Sequence, residues 1–385
     1  MIYGSREMNE RKKILVATMT FHIAHNYGAM LQAYALQQAI CKLGFQCEVL
    51  DYRFQYIDQW SGIRSRHDLE QEYGTLGGNL RFLHRYIKGN YRNISVMRRK
   101  FDQFMRKDIK LSKKVYFTPE ALKNAKYDVI VFGSDQIWNP ELTNGLALEY
   151  FGKYFNTTSM RLMSYAASCG RAGFKEEYKK EILPLLRKFF SLGIREKGLT
   201  EFLRKEWGLP AQTVLDPVFL LSQEEWVELG EKADIKIKRP YLLIYTFQTD
   251  DDIYVLARDI AQKYGLEMVA ISYNRDERMT DIIQLTECGP KDFISLIYNA
   301  DFVCTSSFHG MAFSIIFEKD FYCMGHPLYS QRNKDLLELI GMDSRLFFKR
   351  NEIKSIEKCD YYFASRQVKK EKEKSLKFLE TSIWK

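Results

Sequence analysis

Short apolar runs, each followed by an amphipathic stretch, recur from one end of this 385-residue chain to the other, and that alternation constrains the fold most. Lys13 to Met19 reads as a strand. A loop through Thr20 to Asn26 follows, and Ala29, Ala33, Leu36, Ile40 and Leu43 then recur at helical spacing before Gly44 stops the helix. Cys47 to Tyr52, Asp128 to Phe132, Arg161 to Ala167 and Ser191 to Arg195 repeat the strand pattern. Further on come strands at Tyr241 to Phe247, Glu267 to Ser272, Phe302 to Thr305 and Phe321 to Met324, with helices near 251–264, 291–299, 309–317 and 333–340. Strands apolar on both faces and separated by helices belong to parallel sheets covered on both sides. The fold class is therefore α/β, with two doubly wound, Rossmann-like domains facing a cleft. The length exceeds one ordinary core, which agrees.

The junction falls at VLDPVFLL, residues 214–221, where Asp216-Pro217 favours an extended crossing and Ser222 with Glu225 makes a capping box. This divides the chain into an N-terminal domain over 1–215, a C-terminal domain over 216–360 and a terminal helix over 361–385 placed to pack back on the N-terminal domain. A basic helical insertion is expected around 55–120. Its segment 81–114 carries twelve Lys and Arg against Asp102 and Asp108, a surplus that covers the whole net charge of +9. Interleaved Phe82, Tyr86, Tyr91, Phe101 and Phe104 make this stretch amphipathic, so its basic face is either solvated or meets an anionic lipid surface, a charged acceptor or nucleic acid.

Hydrophobic residues at 46% exclude a disordered chain, and no window approaches the roughly 18 apolar residues of a membrane span. The apolar run Ile14 to Met19 is too short for a signal peptide, and the seven cysteines lack CxxC or zinc-site spacing. A cytoplasmic protein with free thiols and no metal site is the expectation.

Ligands of doubly wound folds bind outside the carboxyl ends of the strands, so the strand-ending loops hold the candidates. Asn26, Tyr27 and Gly28 join the first strand to its helix, where glycine permits close approach and helix-end N–H groups favour an anion or hydroxyl. Ser134, Asp135, Gln136, Trp138 and Asn139 follow a fully apolar strand; these side chains suit sugar hydroxyls, with Asp135 placed to accept a proton or, alternatively, to cap a helix. Arg195, followed by Glu196 and Lys197, offers a guanidinium fork for a carboxylate or phosphate, or a surface ion pair. Ser306, Ser307, His309 and Gly310 combine hydroxyls, an imidazole and a glycine at a helix start, a setting for holding an anion beside a proton donor. His326 and Arg332 come just after the next strand, and His22 and His25 lie in the first loop.

Together these segments resemble the polysaccharide pyruvyl transferase family. The resemblance rests on Asn26-Tyr27-Gly28-Ala29 with Leu31-Gln32 and Tyr34-Ala35-Leu36, on DVIVFGSDQIWN over 128–139, and on Ser164-Tyr165-Ala166-Ala167-Ser168. It continues through Ile194-Arg195-Glu196, Leu215-Asp216-Pro217 and Ser306 to Gly310 with Phe313-Ser314. It implies a GT-B-like fold and transfer of pyruvate from phosphoenolpyruvate (PEP) to a sugar of a cell-surface polysaccharide precursor as a cyclic ketal, with no cofactor besides PEP as co-substrate. Arg195 and His309 match family residues that contact the donor. On this reading His309 is the acid or phosphate partner, Arg195 the anion clamp and Asp135 an acceptor-side base or hydroxyl ligand. Ser306, Ser307, Gly310 and Lys197 complete the donor side, and Asn26, Tyr27, Gly28, Ser134, Gln136, Trp138 and Asn139 the acceptor side.

One departure stands out: the family pattern S-R-L-H carries a second arginine where this chain has Ser307. Lys197, His326 or Arg332 replaces that charge, or the donor differs. The implied partner is a sugar acceptor, free or lipid-diphosphate-linked and not nucleic acid, with 81–114 as a peripheral membrane contact. A nucleotide-sugar glycosyltransferase of the same architecture and a non-catalytic anion- or polysaccharide-binding protein are the competing readings.

Overall fold

The computed structural model describes residues 13–53, 90–247, 251–273, 275–327 and 330–385. Two parallel sheets form its frame. The first runs in the order β3-β2-β1-β4-β5-β6-β7, with β1 Leu15–Met19, β2 Gln46–Tyr52, β3 Leu111–Tyr116, β4 Val129–Phe132, β5 Arg161–Ala167, β6 Phe189–Ile194 and β7 Ala211–Thr213. The second runs β10-β9-β8-β11-β12-β13, with β8 Tyr241–Tyr245, β9 Glu267–Ile271, β10 Ile283–Leu285, β11 Phe302–Thr305, β12 Asp320–Met324 and β13 Leu346–Phe347. Two doubly wound sheets facing each other make the expected Rossmann-like, GT-B-like architecture. The central strand β4, VIVF, is wholly buried because helices cover both its faces, and each such side chain contributes about 1.5–3 kcal/mol on burial.

Strand order reverses between β1 and β4 in one sheet and between β8 and β11 in the other. These are the switch points where connections leave in opposite directions and open a crevice at the strand ends. Helix α1, Tyr27–Lys42, starts at the first of them, with the Asn26 side chain accepting the Ala29 N–H at 3.1 Å as its cap.

The basic segment is not wholly helical. Helix α2, Asn90–Lys107, is followed by β3, which pairs with β2 as an edge strand, so the expected insertion around 55–120 gives way to sheet at 111. Within the described residues α2 turns Ile94, Met97, Phe101 and Phe104 inward, and Lys100 pairs with Asp292 at 2.8 Å and Asp234 at 3.2 Å across to the second half. Arg81, Phe82, Arg85, Tyr86 and Lys88, part of the expected basic surface, lie outside the described residues.

Among the described residues the remaining α-helices are α3 Lys179–Leu186, α4 Lys197–Lys205, α5 Gln223–Gly230, α6 Asp251–Tyr264, α7 Pro290–Asn299, α8 Phe308–Ile316, α9 Gln331–Ile340 and α10 Tyr362–Trp384. The Ser222–Glu225 capping box opens α5 as its sequence requires. The last helix lays Leu379 and Ile383 against Val16, Leu36 and Val129 of the first half. Ser375 Oγ there accepts the Leu215 N–H at 3.0 Å, and Arg161 donates to the Ile383 carbonyl at 2.6 Å. Among the described residues no helix is long and apolar enough to cross a membrane.

Candidate active site

The two switch points bring residues from both halves to one spot, and Asp216 sits at its centre. Its Oδ2 accepts Arg195 Nη1–H at 3.0 Å and the Ser134 hydroxyl at 3.1 Å, and its Oδ1 accepts the Val218 N–H at 3.1 Å. His309 Nε2 lies 3.8 Å from the same Oδ2. Arg195 and Glu196 come from the end of β6, Ser134 from the end of β4, and His309 from the first turn of α8.

Local sequence fixes each of these groups. Gln32 on α1 accepts the Ser134 N–H at 3.1 Å and donates to Thr20 Oγ1 at 2.9 Å, while Thr20 donates to the Ser134 carbonyl at 2.9 Å. The loop therefore holds Ser134 toward Asp216. Asp135 follows in the left-handed region at φ +70°, which Asp tolerates better than most residues, and its Oδ1 accepts the Gln136 N–H at 2.8 Å. Gly28 is explained by His309: a Cβ there would collide with the imidazole, so glycine makes room for the ring rather than for a ligand. Gly310 is in the same position against the Thr305 hydroxyl.

Several polar atoms in this cluster are buried without a hydrogen-bond partner: Arg195 Nε and Nη2, Glu196 Oε2 and His309 Nε2. Such orphans normally cost about 1–3 kcal/mol each, and grouped around one point they are donors and acceptors that a polar ligand or water would satisfy. A second guanidinium lies near the first. Arg332, in the first turn of α9, sets its guanidinium 5.3 Å from the centre of the Phe308 ring, and Arg195 lies 5.2 Å from the same centre. Among the described residues Arg332 makes no hydrogen bond or ion pair. Arg195, Lys197, Asp216, Phe308 and Arg332 line a common cavity of about 450 Å³; neither His309 nor His326 lines it, and His309 meets it through Asp216.

Burial sets the charge states. It pushes the His309 pKa down to about 4 against the pull of Asp216 and Asp135, so the imidazole is neutral at neutral pH. Burial works to raise the Asp216 pKa, but His309, Arg195 and the Val218 N–H outweigh it; with the imidazole neutral, the guanidinium carries most of that effect. Glu196 moves up through burial, although Arg195 opposes the shift and Ser168 donates its hydroxyl to the carboxylate. Burial and the like charge of Arg195 bring Arg332 down to about 10, still cationic at neutral pH.

Other expected residues serve the frame. Trp138 is buried, donates to the Tyr150 carbonyl at 2.8 Å and stacks on Phe151, so its indole belongs to the core and offers no face to a sugar. Gln136 and Asn139 hydrogen-bond each other at 2.7 Å. Tyr27 is buried between the halves, with its hydroxyl on the Cys288 carbonyl at 3.0 Å and its ring stacked on Phe293. Ser307 caps α8, and Ser306 is held by Thr246 and the Phe247 N–H, so both hydroxyls are already engaged. His22 pairs with Asp51 and His25 with Asp102, away from the cluster. Asp216 and Gln32, by contrast, were visible only as members of motifs; nothing in a DP turn or a helical glutamine announces a site.

Among curated proteins no sequence matches this one significantly. Solved structures superpose loosely. The UDP-GlcNAc 2-epimerase from Methanocaldococcus jannaschii is 11% identical over 94% of this chain and 92% of its own, with a TM-score of 0.49. A UDP-N-acetylglucosamine 2-epimerase from Rickettsia bellii is 11% identical over 96% and 99%, with a TM-score of 0.49. A glycosyltransferase from Streptomyces nogalater is 11% identical over 96% and 99%, with a TM-score of 0.43. The sequence profile of the polysaccharide pyruvyl transferases is matched over residues 26–327, from the cap of α1 past the end of β12, which takes in Ser134, Arg195, Asp216 and His309 and stops short of Arg332. The chain belongs to the polysaccharide pyruvyl transferase family.

Proposed function

We propose that this protein transfers pyruvate from PEP to two hydroxyls of one sugar in a cell-surface polysaccharide precursor. The observation that carries the reading is the group of unpartnered atoms on Arg195 and His309 with Arg332 beside them. PEP has a carboxylate and a phosphate, and two guanidinium groups, each close to the Phe308 ring, match two anionic ends. Arg332 takes the place of the arginine absent at Ser307, reaching the same region from the next helix, with Lys197 at the cavity wall.

In the reaction the enol carbon takes a proton and the first acceptor hydroxyl adds to the neighbouring carbon. Phosphate leaves with the carbon–oxygen bond it shared, and the second hydroxyl closes the ketal at that carbon. One hydroxyl proton is balanced by the new methyl group and the other by the released phosphate. His309 is the proton donor or phosphate partner: an incoming anion raises the pKa of a buried neutral imidazole, the direction an acid needs. Asp135 is the acceptor-side base or hydroxyl ligand. The scheme uses no metal or organic cofactor.

The same reading puts the acceptor on a lipid diphosphate carrier at the inner face of the membrane. The exposed Arg99, Arg106, Lys107 and Lys110 then face anionic headgroups.

A donor screen by thermal shift tests the donor assignment, since a ligand that binds only the folded state raises apparent stability. PEP is expected to raise the melting temperature, and UDP- or GDP-sugars to leave it unchanged. Stabilisation by a nucleotide sugar and none by PEP would mean a glycosyltransferase instead.

A further inference from the structure

The strand ends of the second sheet carry an exposed aromatic ring, Phe247, tied to the turn that precedes His309. In the second sheet β11 lies between β8 and β12. His309 follows β11, Arg332 follows β12, and Phe247 follows β8. Along the strand ends the segment that carries His309 therefore lies between the segment that carries Arg332 and the one that carries Phe247.

Phe247 is anchored and yet bare. Its N–H donates to Ser306 Oγ at 3.1 Å, which ties it to the turn that carries His309. Its ring meets Tyr245 edge-on at 5.2 Å and lies nearly parallel to Tyr273, at 6.3 Å and 20°. Tyr245 is itself fixed, its carbonyl accepting the Thr305 hydroxyl at 2.6 Å. Even so, Phe247 remains 53% exposed. A ring immobilised through its backbone and its aromatic neighbours loses little entropy when something covers the remainder, which is the preorganisation that favours binding.

We infer that Phe247 is the stacking platform for the pyranose ring of the acceptor, which rests on the sugar-acceptor reading above. A pyranose presents a face of C–H groups carrying partial positive charge, and the face of a phenyl ring is its electrostatic complement. With the sugar on Phe247, its hydroxyl edge is directed along the strand ends toward His309, and the donor occupies the opposite side. The platform uses no charge, so it selects a neutral ring by shape and leaves donor binding to the guanidinium groups.

The test uses wild-type protein, Phe247→Ala and Phe247→Tyr, a panel of neutral p-nitrophenyl glycosides, and PEP. Saturation-transfer NMR on the wild type should show the pyranose C–H protons of at least one glycoside receiving magnetisation. In Phe247→Ala that transfer should be lost and the acceptor KM should rise roughly three- to tenfold, with kcat and the PEP thermal shift retained. Phe247→Tyr should restore the KM. An unchanged KM in Phe247→Ala, no ring-proton transfer from any glycoside, or a uridine or guanosine base stacking there instead would each overturn the platform. Failure of PEP to shift the wild type would strike the donor reading and leave the stacking result to be judged separately.

Discussion

The guanidinium of Arg195 donates through Nη1 to the Asp216 carboxylate at 3.0 Å, with neither side chain more than 3% exposed. That contact leaves Nε and Nη2 of the same guanidinium without hydrogen-bond partners, with Glu196 Oε1 3.8 Å from Nε. The carboxylate thus fixes the clamp while half of the fork stays available. Asp216→Asn keeps the shape and removes the charge. Loss of one partner of a buried pair should cost about 3–5 kcal/mol, read by urea denaturation at pH 7, together with the PEP thermal shift. A variant as stable as the wild type would show that Asp216 is not the anchor.

His309 makes stability depend on pH in a definite direction. Its pKa in the folded protein is about 4 against an ordinary 6.5, so between those values the unfolded chain binds the extra proton. Stability therefore falls as pH drops from about 6.5 toward 4, by on the order of 3 kcal/mol in full. Asp216, whose folded pKa is lowered, adds a loss at still lower pH, below the ordinary carboxylate value. His309→Gln should flatten the upper window and leave the lower one, measured as denaturation midpoints from pH 7 to pH 3.

Gly28 and His309 should behave as a coupled pair. An alanine in a helix ordinarily gains about 1 kcal/mol over glycine. Here the new Cβ meets the imidazole, so Gly28→Ala should destabilise instead. In the His309→Ala background the same change should become neutral or favourable, and a double-mutant cycle on unfolding free energies would expose the coupling.

Arg332 is placed for binding at a cost to stability. It makes no direct ion pair among the described residues, and burial with the like charge of Arg195 outweighs the support of Asp135, Glu196 and Asp216. Arg332→Ala should leave the protein as stable as before or slightly more so, and weaken PEP binding about tenfold or more in calorimetric titration. Arg332→Lys should recover only part, because an ammonium lacks the fork.

On helix α2 Lys100 is committed to Asp292 and Asp234, so a lipid contact must use the outward cations. Arg99→Glu, Arg106→Glu and Lys107→Glu together should abolish sedimentation with anionic vesicles at low salt without altering the PEP thermal shift. Unchanged sedimentation would remove the membrane role from this helix.

The central strands were legible in the sequence because VIVF at β4 and FVCT at β11 are apolar throughout and end in Gly, Ser or Thr. The four edge strands were not: LSKKVY, AQT, IQL and LF are short or polar, as edges must be to avoid pairing with other chains. Arg195 and His309 were legible from chemistry at strand ends. Asp216 was hidden because an Asp before Pro reads as an extended crossing between domains, and its role depends on Arg195, Ser134 and His309 converging from distant segments. Trp138 misled for the opposite reason, since an indole among polar residues resembles a sugar platform until its N–H is found on a backbone carbonyl.

The most direct test of the account is phosphate release from PEP in the presence of a polysaccharide precursor or a neutral glycoside, compared among wild type, Arg195→Ala and His309→Ala. The wild type is expected to release one phosphate per ketal formed, only with acceptor present, and either variant at least a hundredfold less. Near wild-type release by both variants, or sugar transfer from a nucleotide donor with PEP untouched, would contradict it.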